Sequence, residues 1–175
     1  MILKPQDIFV LLKLIAIGPA EWSYARLAVD LDMSASEVHA AMKRSLRAQL
    51  AVQYDSLIRP NIKNINEFLI HGIRYVFIPE RGELTRGLPT IHGAEFMAKK
   101  IVSSGDPPPV WPDPEGPTRG QSFSPLYRSA SSAARKDKHL YELLVLVDAL
   151  RGGNARERQI AGSEMNKRLN WYHEA

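Results

Sequence analysis

Residues 31–50 read LDMSASEVHAAMKRSLRAQL. Ser34 followed three residues later by Glu37 is a capping box: the serine hydroxyl accepts the N–H of the third helical residue, and the glutamate returns to the serine N–H. This pairing sets a helix start at Ser34, and the pattern carries the helix to Leu50. Val38, Ala41, Met42 and Leu46 fall on one face, whereas Ser36, His39, Ala40, Lys43 and Arg47 fall on the other. The second face is small near its start and basic further along.

The preceding residues are helical as well. Pro5 suits a first turn, Ile8, Leu11, Leu12 and Ile15 recur at helical spacing, and Gly18-Pro19 stops the run, so a first helix spans Pro5 to Ile17. Ser23 caps a second, Tyr24 to Leu31, with Leu27, Ala28 and Leu31 facing inward. The run LAVDLDMSASEVHAAM, residues 27–42, resembles a bacterial helix-turn-helix. Ala28 stands where the first helix needs a small residue, Met33 at the apolar turn position and Val38 at the buried aliphatic position of the recognition helix. Asp32 replaces the usual turn glycine, and Asp tolerates the left-handed conformation better than most residues. With the first helix included, residues 5–58, about a third of the chain, resemble MarR-like winged helix-turn-helix transcription regulators. The resemblance implies DNA binding and commonly dimerisation.

The segment AVQYDSLIRP (51–60) leaves room for little wing: it is either vestigial or one short hairpin over Gln53 to Ile58, with Arg59 its only base. Another helix opens at Pro60 or Asn61 and runs to about Phe77 on the stripe Ile62, Ile65, Phe68, Leu69, Ile73 and Val76. From Ile78 to Lys136 the chain is rich in Pro and Gly. Two related phrases stand out there, GELTRGLP (82–89) and GPTRGQSFSP (116–125), which suggest a degenerate duplication. Thr-Arg-Gly suits the tip or return of a hairpin, where Arg86 and Arg119 would form a second basic site able to reach phosphate. The plainer reading has these arginines capping carbonyls or bridging carboxylates. Residues 94–101 form a short helix, and SSGDPPPVWPDPEGP (103–117) an extended, polyproline-like crossing held by Trp111. In the tail, Leu140, Leu143, Leu144, Val147 and Leu150 make a strong stripe, and Gly152-Gly153-Asn154 ends that helix and caps another, Ala155 to about Leu169. The first of these helices is so apolar that it needs burial on several sides, within the chain or against a second copy.

The expected fold class is therefore mainly α: residues 1–60 a winged helix-turn-helix DNA-binding domain, 61–136 a linking helix and a Pro/Gly-rich middle module of short strands or irregular loops, and 137–175 a C-terminal helical hairpin serving dimerisation. A length of 175 residues at 45% hydrophobic content suffices for a core. The absence of cysteine excludes disulfides, thiolate metal sites and cysteine nucleophiles, and fits a cytoplasmic setting. The apolar start MILKPQDIFVLLKLIAIG is broken by Asp7 and Lys13, so it reads as a core helix and not as a signal or membrane span. A net charge of +4 permits an anionic partner.

Catalysis finds no foothold. His39, His71, His92, His139 and His173 lack metal-ligand spacing, there is no nucleophile elbow, and the carboxylate pairs Asp30/Asp32 and Asp113/Glu115 lie in a turn and a proline-rich loop. No enzyme, metal or cofactor is expected. The reading is a sequence-specific double-stranded-DNA-binding regulator, a homodimeric repressor, with Ser36, His39 and Lys43 at base edges and Ser23, Tyr24, Arg44, Arg47 and Arg59 at phosphates. Two alternatives stay open. One is an antitoxin-like adaptor that binds a protein partner through its middle and tail while autoregulating its operon. The other is a ligand sensor or enzyme in the middle module, marked by a pocket joining Arg86, Arg119, His92 and a carboxylate.

Overall fold

Local signals set the N-terminal elements where expected. Helix α1 (Pro5–Ile17) begins on its proline and stops at Gly18, whose φ of 75° lies in the left-handed region. Helix α2 (Tyr24–Leu31) is capped by Ser23, whose side chain accepts the Arg26 N–H, and it ends on Asp32 in the left-handed conformation at φ 49°, ψ 48°. Helix α3 (Ala35–Arg47) starts from the Ser34–Glu37 box and ends three residues before Leu50. Strands β1 (Ala51–Tyr54) and β2 (Leu57–Pro60) pair from Ala51↔Pro60 to Tyr54↔Leu57, so the region after α3 is a short hairpin with Asp55 and Ser56 at its tip. The computed structural model describes residues 1–102 and 105–174. Ser103 and Ser104 of the expected polyproline-like crossing, the side chain of His173, and Ala175 at the end of the expected hairpin lie outside the described residues.

The next helical run comprises α4 (Ile62–Glu67), a π-helical turn (Phe68–Gly72) and α5 (Ile73–Val76). Then the expected and observed folds diverge. Strand β3 (Arg81–Pro89), a short helix α6 (Glu95–Ala98), and strands β4 (Pro109–Pro112) and β5 (Thr118–Phe123) organise the Pro/Gly-rich middle. Strand β3 runs antiparallel to both β5 and β4, and β4 lies parallel to β5, so the three strands close on one another as a small barrel. With 56% helix and 16% strand the chain is a mixed α/β fold, which corrects the expectation of a mainly α chain headed by a winged helix-turn-helix.

The two Thr-Arg-Gly phrases lie in strands and not at hairpin tips, and they pair with each other: Thr85↔Gly120, Arg86↔Arg119, Gly87↔Thr118. Their glycines serve close approach. A β-carbon on Gly87 would lie 2.0 Å from the Trp111 carbonyl oxygen, and one on Gly120 would lie 2.0 Å from that of Pro108. Trp111, expected to hold a polyproline-like crossing, is a fully buried residue of β4, paired with Leu88.

The chain closes with α7 (Ala130–Lys136), α8 (Lys138–Gly152) and α9 (Ala155–Glu174). Every residue of α8 from Leu143 to Arg151 is buried, against α1, α5, α7 and α9 of the same chain. Its apolar surface is thus covered by intrachain packing. One continuous cluster of buried side chains runs from Ile8 to Leu169. No helix of the described residues is long and apolar enough to cross a membrane.

Inside that cluster sits a charge. Asp148 of α8 is fully buried and accepts hydrogen bonds from Thr90 Oγ1 at 2.7 Å, Trp111 Nε1 at 2.6 Å and Arg151 Nε at 2.9 Å. Burial pushes its carboxyl above the ordinary value, against the pull of Arg151. Arg151 in turn donates to the carbonyls of Phe77 and Ser124. Removing one partner of such a pair leaves the other charge buried and uncompensated. Asp148→Ala is expected to lower unfolding stability by about 3–5 kcal/mol, measured by urea denaturation. A loss below about 1 kcal/mol, the size of an exposed ion pair, would show that the network is not structural.

Candidate nucleic-acid interface

Helix α3 divides by face as its sequence requires. Val38, Ala41 and Met42 are buried, packed over α1 and α2, while Ser36, His39, Lys43 and Arg47 are exposed. Both halves of the capping box are formed, with Ser34 N–H on Glu37 Oε2 at 2.9 Å and Glu37 N–H on Ser34 Oγ at 3.2 Å. The His39 imidazole stacks on the Tyr24 ring at 3.5 Å between centroids and 16° between planes, which sets its direction. Beside this face, Ser23, Tyr24 and Arg59 line one groove together with Trp22 and Leu57, where the loop after α1 meets the β1–β2 hairpin. The structure therefore groups Ser36, His39, Lys43 and Arg47 on one helix, and Ser23, Tyr24 and Arg59 at its flank.

Arg44 departs from its expected role as a phosphate contact. It is turned inward, where its Nε and Nη2 grip the fully buried Asp7 carboxylate at 2.6–2.9 Å. This bidentate pair ties α3 to α1 and leaves Arg44 with 11% of its side chain exposed. Arg86 and Arg119 lie on the small barrel and not on α3.

The residues that sequence reasoning missed hold the turn before α3. Asp32, in the position usually held by glycine, accepts from Ser132 Oγ at 2.5 Å and Lys136 Nζ at 2.9 Å, both on α7. One residue earlier on the same helix, Ser131 and Arg135 hold Asp113, and Arg135 also reaches Glu115. Helix α7 is thus a two-sided clip: Ser132 and Lys136 grip the α2–α3 turn, and Ser131 and Arg135 grip the loop between β4 and β5. The i,i+4 spacing that makes this work is visible in the sequence ASSAARK, although its targets are not. Ser129 Oγ adds a bond to the Leu31 carbonyl. Glu37 accepts from the Tyr127 hydroxyl at 2.8 Å and from Arg128 at 3.3 Å.

Histidine and carboxylate meet elsewhere. His92 Nδ1 lies 2.8 Å from Glu157 Oε1 at a cavity of about 770 Å³ that Arg81 also lines, but neither Arg86 nor Arg119 reaches it. The pocket that would mark a ligand sensor is therefore not assembled as expected. Among the described residues, no cluster of three or more His, Asp or Glu side chains could hold a metal ion.

Compared with known proteins, the chain matches no family model, no curated protein and no solved structure.

The Glu37 contacts make a pH prediction. Hydrogen bonds from the Ser34 backbone, the Tyr127 hydroxyl and the Ser34 side chain hold its carboxyl down at about 2, against 4.5 ordinarily. A carboxyl held low stabilises the fold above its unfolded-state value and loses that contribution as pH falls through its folded value. The stability difference between wild type and Glu37→Gln, from thermal melts, is expected to be constant above pH about 4.5 and to vanish toward pH about 2. A difference independent of pH throughout that window would show that the ionised carboxylate contributes nothing.

Proposed function

We propose that this protein is a sequence-specific double-stranded-DNA-binding transcriptional regulator, a repressor, whose helix α3 enters the major groove. The observation that carries the reading is the division of α3: its apolar face is buried, and an uncovered face presents Ser36, His39, Lys43 and Arg47. A major groove about 12 Å wide admits one helix, and the residues near the helix start approach base edges most closely. Ser36 and His39 occupy the first two turns, with His39 aimed by Tyr24, and they read bases together with Lys43. Arg47, one turn beyond Lys43, meets phosphate, as do Ser23 and Arg59 at the flanking groove.

A carboxylate in the first turn would repel a phosphate backbone, but Glu37 is occupied by Tyr127 and Arg128. Arg44 takes no part, because Asp7 holds it. The residues that resemble MarR-like regulators, Ala28, Met33 and Val38, are all buried, as that use of α2 and α3 requires. The working form is a homodimer, whose two α3 helices would lie one turn of DNA apart, about 34 Å, and read a palindromic site.

The test uses duplexes selected by the wild-type protein from a random pool. Lys43→Ala is expected to cost about 1–3 kcal/mol on the selected site while leaving non-specific affinity nearly unchanged. Arg47→Ala is expected to lower the magnitude of the log affinity against log salt slope by about 0.9 on every duplex. Unchanged affinity and slope in both folded variants would refute the reading.

A further inference from the structure

The pairing of the two Thr-Arg-Gly phrases sets two arginines directly opposite each other. In an antiparallel pair, opposite residues have β-carbons about 4.5–5.5 Å apart, and like charges there repel. Arg86 and Arg119 are such a pair, and both are exposed. Gly87 and Gly120, their chain neighbours, face β4, so alternation along the strands turns both arginines the other way, toward solvent. Among the described residues neither guanidinium forms an ion pair. Among the described residues the one bond of the Arg86 side chain is a long one, 3.5 Å, from Nη1 to the Gly116 carbonyl. Two acids of the β4–β5 loop have other partners: Asp113 is held by Ser131 and Arg135, and Glu115 by Arg135. Two unneutralised guanidinium groups side by side match two neighbouring phosphates, one to each arginine, and a guanidinium can grip a phosphate with two parallel N–H bonds.

We propose that Arg86 and Arg119 form a phosphate-binding pair that grips the DNA backbone beyond the segment read by α3. The inference rests on the DNA-binding reading above and extends the contact to the small barrel. Continuity with α3 comes through α7. The Arg86 carbonyl accepts the Asp113 N–H at 3.0 Å, the Asp113 carboxylate is held by Ser131, and the adjacent Ser132 holds Asp32 in the turn before α3. The width of one helix, about 10–12 Å, therefore separates the β4–β5 loop from the turn before α3. A backbone continuing past α3 covers about 3.4 Å per nucleotide, so a pair one helix width away would meet phosphates a few nucleotides outside the core site.

The test compares wild type with Arg86→Gln/Arg119→Gln, and with each single variant, on the selected duplex and on an unrelated one of equal length. The double variant is expected to lower the salt slope by about 1.8, each single variant by about 0.9, equally on both duplexes and with sequence preference intact. Because the substitutions relieve repulsion, the melting temperature of the free protein is expected to stay level or rise. Such a pattern separates a ligand-binding role from a structural one. If the slope is unchanged in the double variant while Arg47→Ala lowers it, the arginine pair is not a DNA contact and the reading of α3 stands. If a fall in melting temperature accompanies any loss of binding, the pair is structural and the inference fails. If the wild-type protein binds neither duplex, both the inference and the reading beneath it fall.

Discussion

The Asp148 carboxylate has no exposed surface and lies amid leucine and valine side chains, where an unpaired charge could not persist. Its donors come from three places: Thr90 just beyond β3, Trp111 in β4 and Arg151 one turn along α8. Through Arg151 the same network reaches the carbonyl of Phe77 after α5 and that of Ser124 after β5. Every strand of the small barrel is therefore anchored, at one residue or its neighbour, to the last turn of α8. The barrel is too small to form a core of its own. Its stability depends on that anchorage.

From there the constraint passes outward to α3. The barrel fixes the loop carrying Asp113 and Glu115, α7 grips that loop with Ser131 and Arg135, and the same helix grips the α2–α3 turn with Ser132 and Lys136. Two ties act from the other side. Asp7 of α1 holds Arg44 of α3, and Lys13 of α1 is shared by Asp30 of α2 and Asp137 at the start of α8. Helix α3 is thus held at its start, along its buried side and through the turn before it, and its remaining face is left open. Polar ties among buried or half-buried groups are directional, so they set the angle of α3 more narrowly than apolar packing could.

The front of the chain was legible because its signals are local. A first-turn proline, Gly18-Pro19, Ser23 and the Ser34–Glu37 box each act within four residues, and α1, α2 and α3 begin where they indicate. The left-handed turn at Asp32 was legible as a backbone state, whereas its side-chain partners lie 100 and 104 residues away. Arg44 reads as an outward base until Asp7, 37 residues earlier, is brought beneath it. The middle misleads for a related reason. Gly and Pro around Thr-Arg-Gly look like turn chemistry, but Gly87 and Gly120 are required by another strand's backbone pressing on them, a contact that no local spacing reveals. Strand pairing between residues 81–89, 109–112 and 118–123 is non-local throughout, and it changed the fold class.

The proposed meeting place with DNA is the open face of α3. It is tested most directly by NMR titration of the isotope-labelled protein with a duplex it has selected, at low salt. The largest shift changes are expected to fall on Ser36, His39, Lys43 and Arg47, to extend to the β1–β2 hairpin, and to leave the His92–Glu157 cavity quiet. Changes centred on that cavity, with the α3 resonances unmoved at saturation, would contradict it.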